Sequence, residues 1–125
     1  MKQIWVVDDD EEMLRAVRLM LALLGCEVTT FFNARSVVQA ILDGGHLDLM
    51  VLDINMPEVT GLDLLEYLRR RPDTKMLPVV MLSTESSDVM IDRARGLGAD
   101  AYVSKPVTLE ELERAMNEAF EKRKK

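Results

Sequence analysis

One cysteine, one histidine and one tryptophan stand in this chain of 125 residues, and the scarcity of the first two removes classes of explanation. A lone Cys26, between a helix-ending glycine and a strand, closes no internal disulfide and fits a reducing compartment. With His46 the only histidine and no cysteine beside it, a nitrogen–sulfur transition-metal site lacks its ligands. No apolar run approaches the ~20 residues of a membrane-spanning helix. No charged-then-apolar leader precedes the first strand-like segment, so a cytoplasmic location is expected. Positive charge is also short. The net charge of -6 argues against broad contact with nucleic acid or a membrane surface, because a phosphate-rich partner would be repelled. Repeats, low-complexity tracts and linkers are missing, and 125 residues suit one domain with a full core.

What is present is an alternation of strand-like and helix-like segments. Ile4 to Val7 is a short apolar run, and Glu12 to Leu24 carries Met13, Leu14, Val17, Met20, Leu21 and Leu24 at helical spacing. Glu27 to Phe32 is β-branched and aromatic. Asn33 can cap a second helix running to Leu42, before Gly44-Gly45. Leu47 to Leu52, with Asp48 its one polar residue, is continuous enough in its apolar character to be a strand buried on both faces. Gly61 to Arg70 predicts a third helix, Val79 to Leu82 a fourth strand, and Ser86 to Leu97 a fourth helix with a thin apolar stripe of Val89, Met90, Ile91 and Ala94. Ala101 to Ser104 predicts the last strand. Thr108 and Glu111 have capping-box spacing ahead of a final helix. Five strands alternating with five helices predict a doubly wound parallel sheet covered on both faces. The domain is expected to span 1–121, with a basic tail at 122–125. Arg69-Arg70-Arg71 and the closing basic run both read as solvated helix ends that complement the helix dipole.

Four strand-like runs end on chemically distinctive residues. Asp8 and Asp9 follow Val7, Asp53 follows Leu52, Ser83 follows Leu82, and Lys105 follows Ser104. In a parallel sheet these ends converge on the edge where open α/β folds place their sites. Three carboxylates and one ammonium in one pocket are costly without a cation; with one, they make a place for a phosphoryl group. Plainer readings stand beside this: Asp53 as a turn or capping residue, Asp8, Asp9 and Asp10 as caps of the first helix, and Lys105 as a surface lysine. Asp10 is the best capping candidate and is left out of the ligand set. Pro106 pushes Lys105 out of helical geometry, so the lysine projects from an extended segment.

Taken together, Val6-Val7-Asp8-Asp9-Asp10, Leu52-Asp53-Ile54-Asn55-Met56-Pro57 with Gly61, then Ser83, then Lys105-Pro106 resemble a response-regulator receiver domain of two-component signalling, of the chemotaxis-regulator type. The resemblance runs from Lys2 to Glu121. No single piece is specific, but four in this order, each ending a strand, are. The resemblance implies a flavodoxin-like fold and a phosphoacceptor switch rather than an enzyme, one that promotes its own phosphorylation and dephosphorylation. Asp53 would take a phosphoryl group from a sensor histidine kinase or phosphotransfer protein. Mg²⁺ would be bound by Asp9, Asp53 and the backbone carbonyl of Asn55, with Asp8 acting through a coordinated water. Lys105 and Ser83 would contact phosphoryl oxygens, and the Lys105–Pro106 bond would be cis.

Ser83 and Tyr102 would form the switch, carrying the change to a partner face built from the fourth helix, fifth strand and fifth helix; Tyr102 can also be a half-buried strand aromatic. Asn55 and Glu85 would tune hydrolysis of the phosphoryl group. Thr84 stands where the family usually has alanine or glycine and would narrow access to Asp53. Thr60 replaces a common aspartate. Two other functions compete. A phosphatase would need a second acid where Asn55 stands, and a receiver-like scaffold would bind partners without phosphorylation. The chain would be either a stand-alone regulator or part of a longer one.

Overall fold

A computed structural model describes residues 1–124. Lys125, the end of the expected basic tail, lies outside the described residues. Strands and helices alternate as β1 (Gln3–Val7), α1 (Glu11–Leu23), β2 (Glu27–Phe31), α2 (Ala34–Leu42), β3 (Leu49–Asp53), α3 (Gly61–Arg70), β4 (Val79–Ser83), α4 (Asp88–Gly96), β5 (Ala101–Ser104) and α5 (Leu109–Lys122). All strand pairs are parallel, in the order β2-β1-β3-β4-β5. This is the doubly wound, flavodoxin-like arrangement, and its strand order reverses between β1 and β3.

Side-chain alternation sorts the core into two layers. Trp5, Val7, Met50, Leu52, Val79 and Met81 face α2, α3 and α4, while Ile4, Val6, Leu49, Val51, Val80 and Leu82 face α1 and α5. β3 and β4 are buried at every position because helices cover both sides of them. Most methionines serve packing: Met50, Met56, Met81 and Met116 are buried, and Met13, Met20 and Met90 lie against the core.

Local signals set the helix starts. Asp10 caps α1, its side chain accepting from the amides of Glu12 and Met13 at 3.0 and 3.4 Å. Asn33 caps α2 through the Ser36 amide at 2.9 Å. The capping box expected at Thr108 and Glu111 is half formed: Thr108 Oγ1 accepts from the Glu111 amide, but its hydroxyl donates to the Glu111 carboxylate. The reciprocal box is instead at α3, between Thr60 and Asp63. The fourth helix starts two residues later than its pattern suggests, at the Ser87 cap, and Val89 of the expected stripe is 80% exposed. Ala94 is its only fully buried residue, so α4 is the helix most lightly held to the core.

Two arginines depart from the solvated role expected of their runs. Arg69 is half-buried at the amino end of the sheet, where it donates to the carbonyls of Gly98 (2.8 and 3.0 Å) and Leu77 (2.7 Å) and to Asp100 Oδ2 (3.0 Å). Arg123, in the expected tail, donates to Asp100 Oδ1 at 2.8 Å and to the Gly98 carbonyl at 3.1 Å. Asp100, 3% exposed, also accepts from the Val79 amide at 2.9 Å. Gly98 follows α4 with φ +110, and a Cβ there would lie 2.8 Å from Arg69 Nε, so only glycine fits. Burial and the nearby Arg123 pull the Arg69 guanidinium down to about 10 against the opposing pull of Asp100, still charged at neutral pH. Arg70 and Arg71 do remain at the surface, pairing with Glu66 and Asp73.

Replacing Asp100 with Asn leaves two arginines facing each other without their shared counter-charge. The expected loss is roughly 3 kcal/mol, lowering the unfolding midpoint by roughly 10 °C. Arg70→Gln, at an exposed pair, should move stability by less than about 0.5 kcal/mol. Thermal unfolding followed by circular dichroism compares the two; equal midpoints would show that the buried network contributes no more than a surface pair.

Candidate functional site

The β1/β3 switch point falls where the carboxyl ends of the central strands deliver their terminal residues. Val7 lies opposite Leu52, and Asp53 lies opposite Leu82, so the residues just beyond β1 and at the end of β3 share one level of the sheet. Asp8 continues the alternation of Ile4 and Val6, and Asp53 that of Leu49 and Val51, so both carboxylates are delivered to the α1/α5 side. Lys105 repeats the parity of Ala101 and Val103. Its Nζ lies 2.9 Å from Asp8 Oδ2 and 3.0 Å from Asp53 Oδ1. The Lys105–Pro106 bond is cis.

Asp8 and Asp53 are 0% and 2% exposed, which is rare for carboxylates without partners. Asp8 uses Oδ1 to accept from the Asp10 amide at 2.9 Å and Oδ2 to accept from Lys105. Burial pushes the Asp53 carboxyl up to about 6; the Lys105 hydrogen bond opposes this, the Asp8 charge adds to it, and the Asn55 amide opposes it again. Burial works against the Lys105 ammonium, but its hydrogen bonds to Asp8 and Asp53 outweigh that and raise its pKa. One cation thus faces two buried carboxylates.

Asp9 completes the group at its exposed rim. One carboxylate oxygen from each of Asp8, Asp9 and Asp53 lies within 4.8 Å of the others. This all-oxygen donor set suits a hard divalent cation such as Mg²⁺ and does not suit a thiophilic one. Among the described residues no other group of three such side chains comes as close together.

The remaining predicted residues stand in or just beyond β3, β4 and β5. Asn55 and Thr84 are exposed in the loops after β3 and β4. Ser83 is fully buried, and its Oγ accepts from the Glu85 amide at 2.9 Å, within its own loop. Tyr102 is partly buried, and its hydroxyl donates to the Glu85 carbonyl at 2.5 Å. Glu85, singled out in the sequence as a residue near the phosphoryl group, therefore also ties the Ser83 hydroxyl to the aromatic of β5 through its backbone. No residue pattern announces such a role, because backbone groups carry no sequence signal.

Fold and site together define a doubly wound α/β protein with a cation-seeking carboxylate pocket at its switch point. The chain belongs to the response regulator receiver domain family, whose model matches residues 4–117. It is similar to the chemotaxis protein CheY of Pseudomonas aeruginosa, with 34% identity over 96% of this chain and 97% of that one. It is also similar to the phosphate regulon transcriptional regulatory protein PhoB of Rhizobium meliloti, at 38% identity over 88% of this chain but only 48% of the relative. Among solved structures, the chemotaxis protein CheY4 of Vibrio cholerae superposes with a TM-score of 0.86 at 28% identity, covering 95% of this chain and 98% of that one. Receiver domains are signalling switches, not enzymes of the ordinary kind, and they interact with histidine kinases and downstream targets. Among the described residues no helix is long and apolar enough to cross a membrane.

The raised Asp53 carboxyl gives a pH signature in the metal-free protein. The folded chain holds the Asp53 proton more tightly than the unfolded chain, whose value is near 3.8. This group's contribution is therefore most favourable at low pH and is lost as pH rises from about 4 to about 7, by on the order of 3 kcal/mol. In chelator, Asp53→Asn should gain stability over wild type by that amount across the interval. Urea unfolding at several pH values checks it; a difference that does not vary with pH would place Asp53 in a solvated setting.

Proposed function

We propose that this domain accepts a phosphoryl group on Asp53 from a phosphohistidine donor and thereby alters a partner-binding face. The observation that carries the reading is the buried Asp8–Lys105–Asp53 group, with Asp9 at its open rim. Such a group holds acidic oxygens and an ammonium where a phosphoryl group and its counter-cation would need them.

Transfer requires the Asp53 carboxylate as nucleophile. One of its oxygens attacks phosphorus while the phosphorus–nitrogen bond of the donor breaks, the bonding electrons returning to the imidazole. The product is an acyl phosphate on Asp53. Mg²⁺, when bound, supplies positive charge to the phosphoryl oxygens; Asp9, Asp53 and the Asn55 carbonyl would hold it directly, with Asp8 behind them. Lys105 bridges Asp8 and Asp53 at rest, offsetting one of their two charges, and a phosphoryl oxygen gives its ammonium a further anionic partner. The Ser83 hydroxyl, whose oxygen already accepts from Glu85, still has its proton to donate to another phosphoryl oxygen.

That donation is the proposed start of the switch. Ser83 and Tyr102 are joined through the Glu85 backbone, so a shift of the 84–87 loop toward the phosphoryl group withdraws the carbonyl that holds the Tyr102 hydroxyl. The light anchoring of α4 favours a response there. The face of α4, β5 and α5 is the proposed surface for the downstream protein, with no direct contact to nucleic acid or membrane. Asn55, Glu85 and Thr84, exposed in the loops after β3 and β4, would set how fast water reaches the acyl phosphate. A cytoplasmic setting fits this chemistry.

Incubation with acetyl phosphate and Mg²⁺ should yield one phosphoryl adduct by intact-protein mass, absent without Mg²⁺ and absent in Asp53→Asn. A folded protein that takes no adduct from acetyl phosphate or a second small phosphodonor would favour a scaffold that binds partners unphosphorylated. Separately, Mg²⁺ at ten times its dissociation constant should stabilise the fold by roughly 1.4 kcal/mol through mass action. A thermal midpoint indifferent to millimolar Mg²⁺, or equally responsive in Asp9→Asn, would remove the metal assignment.

A further inference from the structure

We infer that Gly61 is a positioning residue for the proposed metal and phosphoryl site, acting through the Asp53 peptide without touching either ligand. The inference rests on the phosphoacceptor reading above. A Cβ built on Gly61 would lie 2.0 Å from the Asp53 carbonyl oxygen and 2.8 Å from both the Asp53 carbonyl carbon and Ile54 Cα. All three are backbone atoms, so no side chain can rotate away. The first turn of α3 is therefore seated directly on the peptide that carries the nucleophile.

Two further contacts make this seat a lock. The Gly61 amide donates to the Ile54 carbonyl at 2.9 Å, closing the loop that leads from β3 into α3. Next to it, Thr60 and Asp63 exchange hydrogen bonds of 3.2 Å in each direction, which fixes the start of the helix. On the strand side, the Ile54 amide donates to the Leu82 carbonyl at 3.0 Å, so the Asp53–Ile54 segment is held between β4 and α3. Asn55 stands two residues beyond Asp53 on the same segment. A displacement of this backbone thus moves the nucleophile's carboxylate and the residue whose carbonyl is a proposed metal ligand at once. The Gly61 backbone is not in the left-handed region; glycine is required by close approach, not by conformation.

Methyl addition at 61 must move backbone by about 1.4 Å to reach ordinary contact, and displacements of about 1 Å or more in a preorganised site cost about 10² in rate or metal affinity. The test is Mg²⁺ affinity and acetyl phosphate labelling rate of Gly61→Ala at a temperature where it remains folded. Leu68→Ala, a core truncation in the same helix, serves as a destabilised control. Expected is a 10- to 100-fold loss of Mg²⁺ affinity, with a matching loss of labelling rate, in Gly61→Ala and unchanged affinity in Leu68→Ala. A folded Gly61→Ala with wild-type affinity overturns the positioning role. So does equal weakening in both variants, which would mark a general stability effect. Should Gly61→Ala fail to fold, the ¹⁵N-labelled wild-type chain decides. Its Gly61 amide resonance is expected to move along the same Mg²⁺ titration curve as the Asp53 and Asn55 amides, and a stationary Gly61 resonance overturns the inference. A wild-type chain that shows no Mg²⁺ response removes the phosphoacceptor reading itself, and this role with it.

Discussion

Two carboxylates buried side by side, with one ammonium between them, govern how the carboxyl end of this sheet is built. Left alone, Asp8 and Asp53, both buried, would repel each other with little water to screen them. Lys105 reaches both at hydrogen-bond distance, yet it brings one charge to two, and the Asp53 carboxyl stays raised. The fold thus holds a site in electrostatic deficit, and Asp9 at the rim makes that deficit accessible to a cation. Strand alternation, the Pro106 step after Lys105 and the seating of α3 on the Asp53 peptide all serve to keep this group assembled.

The opposite end of the sheet answers the same physical problem differently. There the buried acid is Asp100, and two guanidiniums share it. Its oxygens are saturated by Arg69, Arg123 and the Val79 amide, so nothing remains to attract a ligand. One end is closed by complete hydrogen bonding, while the other is left open in charge. Between them lie α4 and β5, tied at the closed end through Gly98 and Asp100 and linked to the open end by the β4–β5 ladder, by Lys105 and by the Ser83–Glu85–Tyr102 contacts. A protein that must respond at one edge without unfolding at the other gains from this asymmetry.

The legible parts of the sequence are those governed by local rules. Asp10 and Asn33 act as caps because a short polar side chain beside an orphan amide settles the matter within three residues. The buried strands show themselves as continuous apolar runs. Arg69 and Arg123 were illegible for the opposite reason. An arginine at a helix end is usually solvated, and only a buried acid 31 or 23 residues away in sequence turns it inward. The Thr60–Asp63 box was hidden because aspartate replaces the usual glutamate at its third position. In the site, the order of Asp8, Asp9, Asp53, Ser83 and Lys105 along the chain marked the pocket, whereas the backbone roles of Glu85 and Gly61 carry no signature beyond the residue type.

By itself the sequence determined the period and order of the elements, the doubly wound architecture they require, and the strand ends at which acidic and basic residues stand. These follow from side-chain spacing and capping, which act over a few residues. Tertiary structure decided which of those residues meet. Lys105 bonds Asp8 and Asp53 across separations of 97 and 52 residues, and that pairing exists only because β1 and β3 are neighbours in the sheet and β4 and β5 follow in register. Burial, and with it the raised Asp53 carboxyl, the saturated Asp100 and the requirement for glycine at 61, is a property of packed layers rather than of any segment. Proximity between distant segments is set by strand order and helix seating, and spacing along the chain does not encode either distance.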